Sequence, residues 1–326
     1  MNGGSSIPAL SPALEPTIYF IGVTTSQSSI LRIFPRWAEE LKLGPCRIVG
    51  IDLPLHASAA EYRRVVSFIK DDPLSRGALV TTHKIDLFTA CRDLFDMVEP
   101  LAGRMGELSC LSKRDGGLMA SAKDPVSAGL ALQAILPAGH FARTGAELFS
   151  MGAGGSTIAI VWYLTQPSRG PDRPARVVVS NRSQPRLDAL RRIHAGFGYG
   201  VPVEYDLAPA AKDNDRVMAG LKPGSLVVNA TGLGKDAPGS PITDGARFPE
   251  GGLAWELNYR GDLVFLRQAR AAAARRRLVV EDGWAYFLHG WTRVIAEIFG
   301  VDIPTRGPGF DRLSELAGGS PLLARA

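Results

Sequence analysis

The segment Met151-Gly152-Ala153-Gly154-Gly155-Ser156-Thr157 has the residue types and spacing to hold an anion. A glycine at 152 permits a tight turn. A second at 154 lets backbone N–H groups approach a pyrophosphate, and a helix opening there adds partial positive charge. A full G-x-G-x-x-G pattern would place its third glycine at 157, where threonine stands, so a purely structural turn is the competing reading. The next apolar strand ends in Ser180-Asn181-Arg182-Ser183-Gln184-Pro185-Arg186, without the acid that holds a ribose 2′-hydroxyl in NAD-preferring folds. Arg182 and Arg186 can clamp a 2′-phosphate through charge-assisted, bidentate contacts. Cations are disfavoured at a helix start, so a bound anion explains these arginines better than two bare surface cations. Gly152, Ala153, Gly154, Gly155, Ser156, Asn181, Arg182, Ser183 and Arg186 are therefore candidate cofactor residues, and NADP(H) is the expected cofactor.

These residues need rigid elements to hold them, and the chain supplies an alternation of strands and helices. In the first half, strands are expected at Ile18–Ile21, Arg47–Ile51 and Gly77–Thr81, with helices at Ser28–Leu41 and Ala59–Ile69. Two short strands, Leu108–Leu111 and Gly117–Ala120, flank Lys113-Arg114-Asp115-Gly116, whose Asp-Gly favours a hairpin turn. A second run begins near Ala146, with strands at Leu148–Met151, Arg176–Ser180, Ser225–Asn229, Gly252–Leu257 and Leu278–Val280. Their almost continuous apolar character suits a buried parallel sheet, and the helices between them imply right-handed βαβ units. The insert Pro167–Pro174, rich in Pro, Gly and Arg, is expected to be an exposed loop.

A chain of 326 residues suits two domains. Hydrophobic residues at 45% and charged residues at 21% fit a folded globular protein. The net charge of +5 comes from scattered arginines with no basic stripe interleaved with aromatics, so no nucleic-acid site is expected. Cys46, Cys91 and Cys110 form no CxxC pair, which argues against a disulfide framework or a zinc site and fits a reducing cytoplasm. No apolar run approaches the ~20 residues that span a bilayer. Residues 1–16 read as a flexible tail.

Several segments together resemble the shikimate dehydrogenase family over roughly residues 17–300. Gly152-Ala153-Gly154-Gly155 resembles its GAGG turn, and Asn181-Arg182-Ser183 its NRT or NRS signature for NADP. Asn229-Ala230-Thr231-Gly232-Leu233-Gly234 resembles its NATSxG segment on the nicotinamide side, and Leu266-Arg267-Gln268-Ala269 its LLxxA helix after a tyrosine, here Tyr259. Residues 283–300 resemble its long helix crossing back to the first domain. Val80-Thr81-Thr82-His83-Lys84 resembles the family's VTxPxK segment, one residue short and without the proline. Ser121-Ala122-Lys123-Asp124-Pro125 resembles its YNTDG segment.

The resemblance implies an α/β fold in two parts: a substrate-binding domain over 17–125, completed by 283–326, and a Rossmann-type NADP-binding domain over 126–282. It places the catalytic lysine at Lys84 and its partner aspartate at Asp124. It implies substrate contacts at Ser26, Ser28, Thr81, Ser109 and Tyr259, and adds Asn229, Thr231, Gly232 and Gly283 to the cofactor residues. A lysine beside a carboxylate can give or take the proton that accompanies hydride transfer to a carbonyl.

The departures alter the substrate side. Of the family's Ser-x-Ser only Ser28 remains, with Ile30 at the second position and Ser26 and Ser29 nearby. The substrate-reading Asn, the Asn of NTD and the Gln of the crossing helix correspond to Ser109, Ala122 and Gly290, the last beside His289. Lys123 is an added cation. Losing groups that hydrogen-bond substrate hydroxyls weakens their recognition by several kcal/mol. The expected activity is thus an NADP-dependent ring alcohol–ketone oxidoreductase, on 3-dehydroshikimate/shikimate or a related hydroxylated ring carboxylate such as quinate. A non-catalytic NADP(H)-binding regulatory protein is the alternative, and a scaffold with a vestigial cleft a third. The expected setting is cytoplasmic, as a monomer or homodimer, with no metal, membrane or nucleic-acid partner.

Overall fold

The computed structural model describes residues 10–198, 200–235 and 237–319. The chain divides into two compact units, 1–124 with 288–326, and 125–287.

The first unit runs β1 (Thr17–Gly22), α1 (Ile30–Glu40), β2 (Arg47–Asp52), α2 (Ala59–Asp71), β3 (Ser75–Val80), α3 (Lys84–Ala90), β4 (Met97–Val98), α4 (Pro100–Met105), β5 (Cys110–Arg114) and β6 (Gly117–Ser121). Its sheet has the order β2-β1-β3-β5-β6-β4. β1 is buried at every position and pairs in parallel with β2 and β3. β5 and β6 form the expected hairpin, with Arg114 opposite Gly117. Its two turn residues, Asp115 and Gly116, have φ of 50° and 78°, the pair of positive values that a two-residue turn between right-twisted strands requires. The hairpin lies later than the sequence suggests, because Leu108 and Ser109 turn aside to bond Lys84 and Ser121 before the ladder begins. Similarly, α1 starts at Ile30 rather than Ser28, since a 3-10 turn over Thr25–Gln27 precedes it. Of the expected tail 1–16, residues 1–9 lie outside the described residues; within the remainder, Ala13 is buried and donates its N–H to Asp72 Oδ2 at 2.7 Å.

The second unit takes over at the start of α5 (Asp124–Ile135) and continues through α6 (His140–Thr144), β7 (Leu148–Met151), α7 (Gly155–Thr165), β8 (Val177–Asn181), α8 (Gln184–Ala195), β9 (Val203–Leu207), α9 (Ala211–Ala219), β10 (Leu226–Asn229), β11 (Leu253–Glu256), α10 (Val264–Arg276) and β12 (Val279–Glu281). The chain returns to the first unit within α11 (Trp284–Phe299) and ends in α12 (Pro308–Leu316). In the first unit, Trp291 of α11 packs edge-on against Phe20 of β1 at 5.1 Å. Trp37 of α1 donates its indole N–H to the Leu313 carbonyl of α12 at 2.8 Å.

The second sheet is parallel throughout, with the order β12-β11-β10-β7-β8-β9. Counted from its own first strand this is 6-5-4-1-2-3, the doubly wound order whose strand sequence reverses between the first and fourth strands. β7, β10 and β11 are buried at every position, as strands covered on both faces must be. Phe149, Val178, Val227, Ala254 and Phe265 form one side of its core. The insert after α7 is exposed at Pro167, Ser168, Gly170 and Pro171 and becomes buried only at Pro174. Arg169 pairs with Asp172 at 2.9 Å and lies over the Tyr163 ring at 5.0 Å. No helix among the described residues is long and apolar enough to cross a membrane.

Candidate active site

In the second unit the glycine-rich turn leaves the carboxyl end of β7, beside the carboxyl end of β10. This is the point of strand-order reversal, where open α/β sheets bind ligands. Gly152 has φ of 107°, and a Cβ there would stand 2.5 Å from the Ala230 carbonyl oxygen. Only glycine lets the two loops approach so closely. Gly154 precedes α7 with extended backbone, and a Cβ on it would meet nothing within 4 Å. That leaves room beside the first turn of α7, whose N–H groups lack intrahelical partners as in any helix. Thr157, in place of the third glycine, braces the turn. Its buried hydroxyl donates to the Gly152 carbonyl at 2.6 Å and bonds with Ser150 at 3.0 Å. Ser156, one residue earlier, accepts the Tyr286 hydroxyl at 3.4 Å.

At the end of β8, Asn181 donates to the Ser183 carbonyl at 3.4 Å, Ser183 opens α8, and Arg182 is exposed with Arg186 half-buried one turn on. After β10, the side-chain oxygen of Asn229 accepts from Thr231 N–H at 3.1 Å and from its hydroxyl at 2.7 Å, while Gly232 takes φ of 76°. Asn229 in turn donates to Glu256 at 2.7 Å, and Glu256 also accepts two bonds from Asn258 at 2.9 and 2.7 Å. Burial pushes the Glu256 carboxyl up to about 7 against the pull of these donors. Gly283 has a packing reason for lacking a side chain, since its Cβ would stand 2.0 Å from the Leu257 carbonyl oxygen. Tyr259 is also in this unit, against Phe287 at 4.3 Å and Trp284 at 5.8 Å.

In the first unit, the loop after β3 and the entry to α5 converge. Lys84 is the first residue of α3 and Asp124 the first of α5. Lys84 Nζ pairs with Asp124 Oδ2, with side-chain exposures of 14% and 8%. A cation is disfavoured at a helix N-terminus, an anion favoured, so Asp124 offsets what Lys84 costs there. Ser109 is buried, and its hydroxyl accepts the Lys123 N–H at 2.7 Å, which fixes the backbone beside Asp124. Thr25, held to Asp52 at 2.7 Å through its N–H, anchors the turn that carries exposed Ser26 and buried Ser28. Thr81, half-buried, is held by a bond from its N–H to the Ile21 carbonyl at 3.0 Å.

His83 is buried and hydrogen-bonds Tyr62 at 2.9 Å. Desolvation holds its imidazole below the usual range. Lys123 pairs with Glu297 at 3.3 Å and Glu99 at 3.5 Å. His289 stacks on Phe310 at 4.5 Å, and burial lowers it to about 4.

Glu107 is the group that residue types did not reveal. It is fully buried, and among the described residues neither carboxylate oxygen has a hydrogen-bond partner. Burial, and then the charge of Asp124, push it up to about 8, with Lys84 opposing.

No protein-family model matches the chain. The shikimate dehydrogenase (NADP(+)) of Methylocella silvestris is 28% identical over 305 residues, which cover 93% of this chain and 97% of that one. Over nearly its whole length, the chain is therefore similar to a shikimate dehydrogenase. The shikimate 5-dehydrogenase of Thermus thermophilus, solved with NADP(H) and shikimate, superposes with a TM-score of 0.64 at 23% identity, covering 93% of this chain and 98% of that one. The quinate dehydrogenase of Corynebacterium glutamicum, solved with NAD, does so at 0.68 and 18%, with the same coverage. At these identities the structures establish the fold, two α/β units of which the second is Rossmann-type.

Thr82 takes φ of 59°, a left-handed conformation that a β-branched residue rarely adopts and that costs about 1–3 kcal/mol. This strained residue lies two positions before Lys84, the first residue of α3. At Gly290, where the family pattern carries a glutamine, a Cβ would meet nothing within 4 Å.

Proposed function

We propose that the chain is an NADP(H)-dependent oxidoreductase interconverting a ring alcohol and a ketone, on 3-dehydroshikimate/shikimate or a related hydroxylated ring carboxylate such as quinate. The largely buried Lys84–Asp124 pair carries this reading. In the reducing direction the Lys84 ammonium donates its proton to the carbonyl oxygen; in the oxidising direction the free amine takes the hydroxyl proton. Asp124 orients the amine and balances its charge. When bound, the nicotinamide nucleotide supplies or accepts the hydride.

The second unit fits that nucleotide. The open space at Gly154, the close approach of Gly152 to Ala230 and the N-terminus of α7 suit a pyrophosphate. Arg182 and Arg186 suit a 2′-phosphate. Ser26, Ser28, Thr81 and Ser109 are the polar groups available to a substrate carboxylate and hydroxyls in the first unit, and Tyr259 is assigned with them by resemblance. Their short hydroxyls, with Ala122 and Gly290 where amides stand in the family pattern, favour a substrate bulkier or less hydroxylated than shikimate. The protein is expected to act in the cytoplasm, as a monomer or homodimer.

The test is NADP+ reduction, followed at the nicotinamide absorbance at alkaline pH, with shikimate, quinate and a panel of hydroxylated ring carboxylates, repeated with NAD+. Turnover of any panel member that depends on NADP+ supports the reading. Tight NADPH binding without turnover would favour a non-catalytic sensor, which the strained, shortened loop before Lys84 keeps in view. Absence of NADPH binding would leave only a scaffold.

A further inference from the structure

The Lys84–Asp124 pair has a third ionisable neighbour, and the backbone holds it there. The Leu108 N–H donates to the Lys84 carbonyl at 3.3 Å, and the Ser109 hydroxyl accepts the Lys123 N–H at 2.7 Å. Glu107, at the start of this three-residue strap, is therefore tied on one side to the first turn of α3 and on the other to the residue preceding α5. Its side chain is wholly buried, and among the described residues its oxygens receive no hydrogen bond. The charged groups acting on it are Lys84 from α3 and Asp124 from α5. Lys123, the other nearby cation, is engaged with Glu99 and Glu297.

A carboxyl without hydrogen-bond donors is costly to ionise in a dry site. The structure retains one beside a proton-transfer pair where an apolar side chain would cost nothing of that kind. We propose that Glu107 is a positioning residue for proton transfer: a buried acid that acts through charge on Lys84 and holds it in its ammonium form toward alkaline pH. With Glu107 protonated, the three groups carry one positive and one negative charge. Once Glu107 ionises, a second negative charge faces the same ammonium, and loss of the Lys84 proton becomes harder. The consequence is directional. The site keeps a proton donor available for ketone reduction as the pH rises, and supplies the free amine needed for alcohol oxidation only at still higher pH.

This inference rests on the reading of Lys84 and Asp124 as the proton-transfer pair, and its test does not require turnover. Trace acetylation of the full-length protein by acetic anhydride, quantified at Lys84 by mass spectrometry from pH 7 to 10.5, reports the fraction of free amine. Glu107→Gln removes the charge and keeps the shape. At pH 9 the variant's Lys84 should acetylate about tenfold faster than the wild type's, as expected for removing one neighbouring negative charge. The carboxyl signal of Glu107 in carbon-13-labelled protein, assigned by its loss in E107Q, should titrate near pH 8. Equal acetylation rates in the two proteins, or a Glu107 signal that titrates with the exposed glutamates, would overturn the proposal. If E107Q does not fold, the wild type alone decides: Lys84 reactivity must fall below a single-proton curve above pH 8, and a clean single titration overturns the proposal. A Lys84 that responds to Glu107 in a protein that reduces no ring ketone would refute the proposed function, and with it the role in proton transfer, leaving only the charge coupling of the two residues.

Discussion

The Cα of Gly152 faces the carbonyl oxygen of Ala230 so closely that a Cβ built on it would lie 2.5 Å away. This contact locks the turn after β7 to the loop after β10. Gly154, two residues on, faces open space with an ordinary φ of −106°. The two glycines should therefore fail differently. Gly152→Ala adds a backbone clash to a left-handed strain of about 1–2 kcal/mol, and should lower the melting temperature by several degrees as well as weakening NADPH binding. Gly154→Ala should fold with near-normal stability and still lose tenfold or more in NADPH affinity, because its methyl occupies the ligand's approach. Equal losses of stability in both variants would show that Gly154 is merely structural.

Thr157 stands where a dinucleotide-binding turn often carries glycine, yet its hydroxyl holds the Gly152 carbonyl at 2.6 Å. Thr157→Val keeps the volume and removes that bond. It should cost about 1–3 kcal/mol in urea unfolding, the range for a buried acceptor left unpaired. A change below a few tenths of a kcal/mol would mean the turn is held by its glycines alone.

Arg182 and Arg186 follow β8 at the start of α8. Arg182→Ala should raise the KM for NADP+ by tenfold or more while leaving that for NAD+ within about twofold, since only NADP+ carries the phosphate that a charged hydrogen bond of about 1.5–3 kcal/mol would hold. Parallel losses for both cofactors would place the arginine elsewhere.

Much of this site is legible in the sequence, for a physical reason. The turn from Gly152 to Gly155 follows a buried parallel strand, which announces itself as an apolar run, whereas Lys84 and Asp124 are singled out only by the family resemblance. What escapes is what depends on three-dimensional surroundings. Glu107 is an ordinary acidic residue until packing removes its water. β9, Val203–Leu207, alternates polar side chains on a half-exposed edge and carries no apolar run. α3 is short and has no side-chain cap at its start. Gly283, grouped with the cofactor residues by resemblance, is explained by the Leu257 carbonyl against which it packs. The left-handed conformation of Thr82, two residues before Lys84, leaves no mark in the sequence.

Glu107 also has a stability consequence. Its carboxyl stands at about 8 in the folded state against 4.5 for the ordinary group. A raised folded value means that the native state holds the proton more tightly than the unfolded chain. The stabilising contribution is thus complete below about pH 4.5 and is lost as the pH climbs through about 8. Unfolding free energy from urea titration should decline over this interval in the wild type, and the decline should be shallower in Glu107→Gln. Indistinguishable pH slopes would mean that the carboxyl is solvated.

The central claim is that Lys84 carries the proton transfer of a nicotinamide-dependent ring oxidoreductase. The most direct measurement is single-turnover hydride transfer by Lys84→Ala, with whichever panel member the wild type turns over, alongside NADPH binding by fluorescence. The account predicts unchanged NADPH affinity and a rate reduced by about 10²–10⁴, the usual contribution of a positioned acid–base group. A near-normal rate in Lys84→Ala would contradict it.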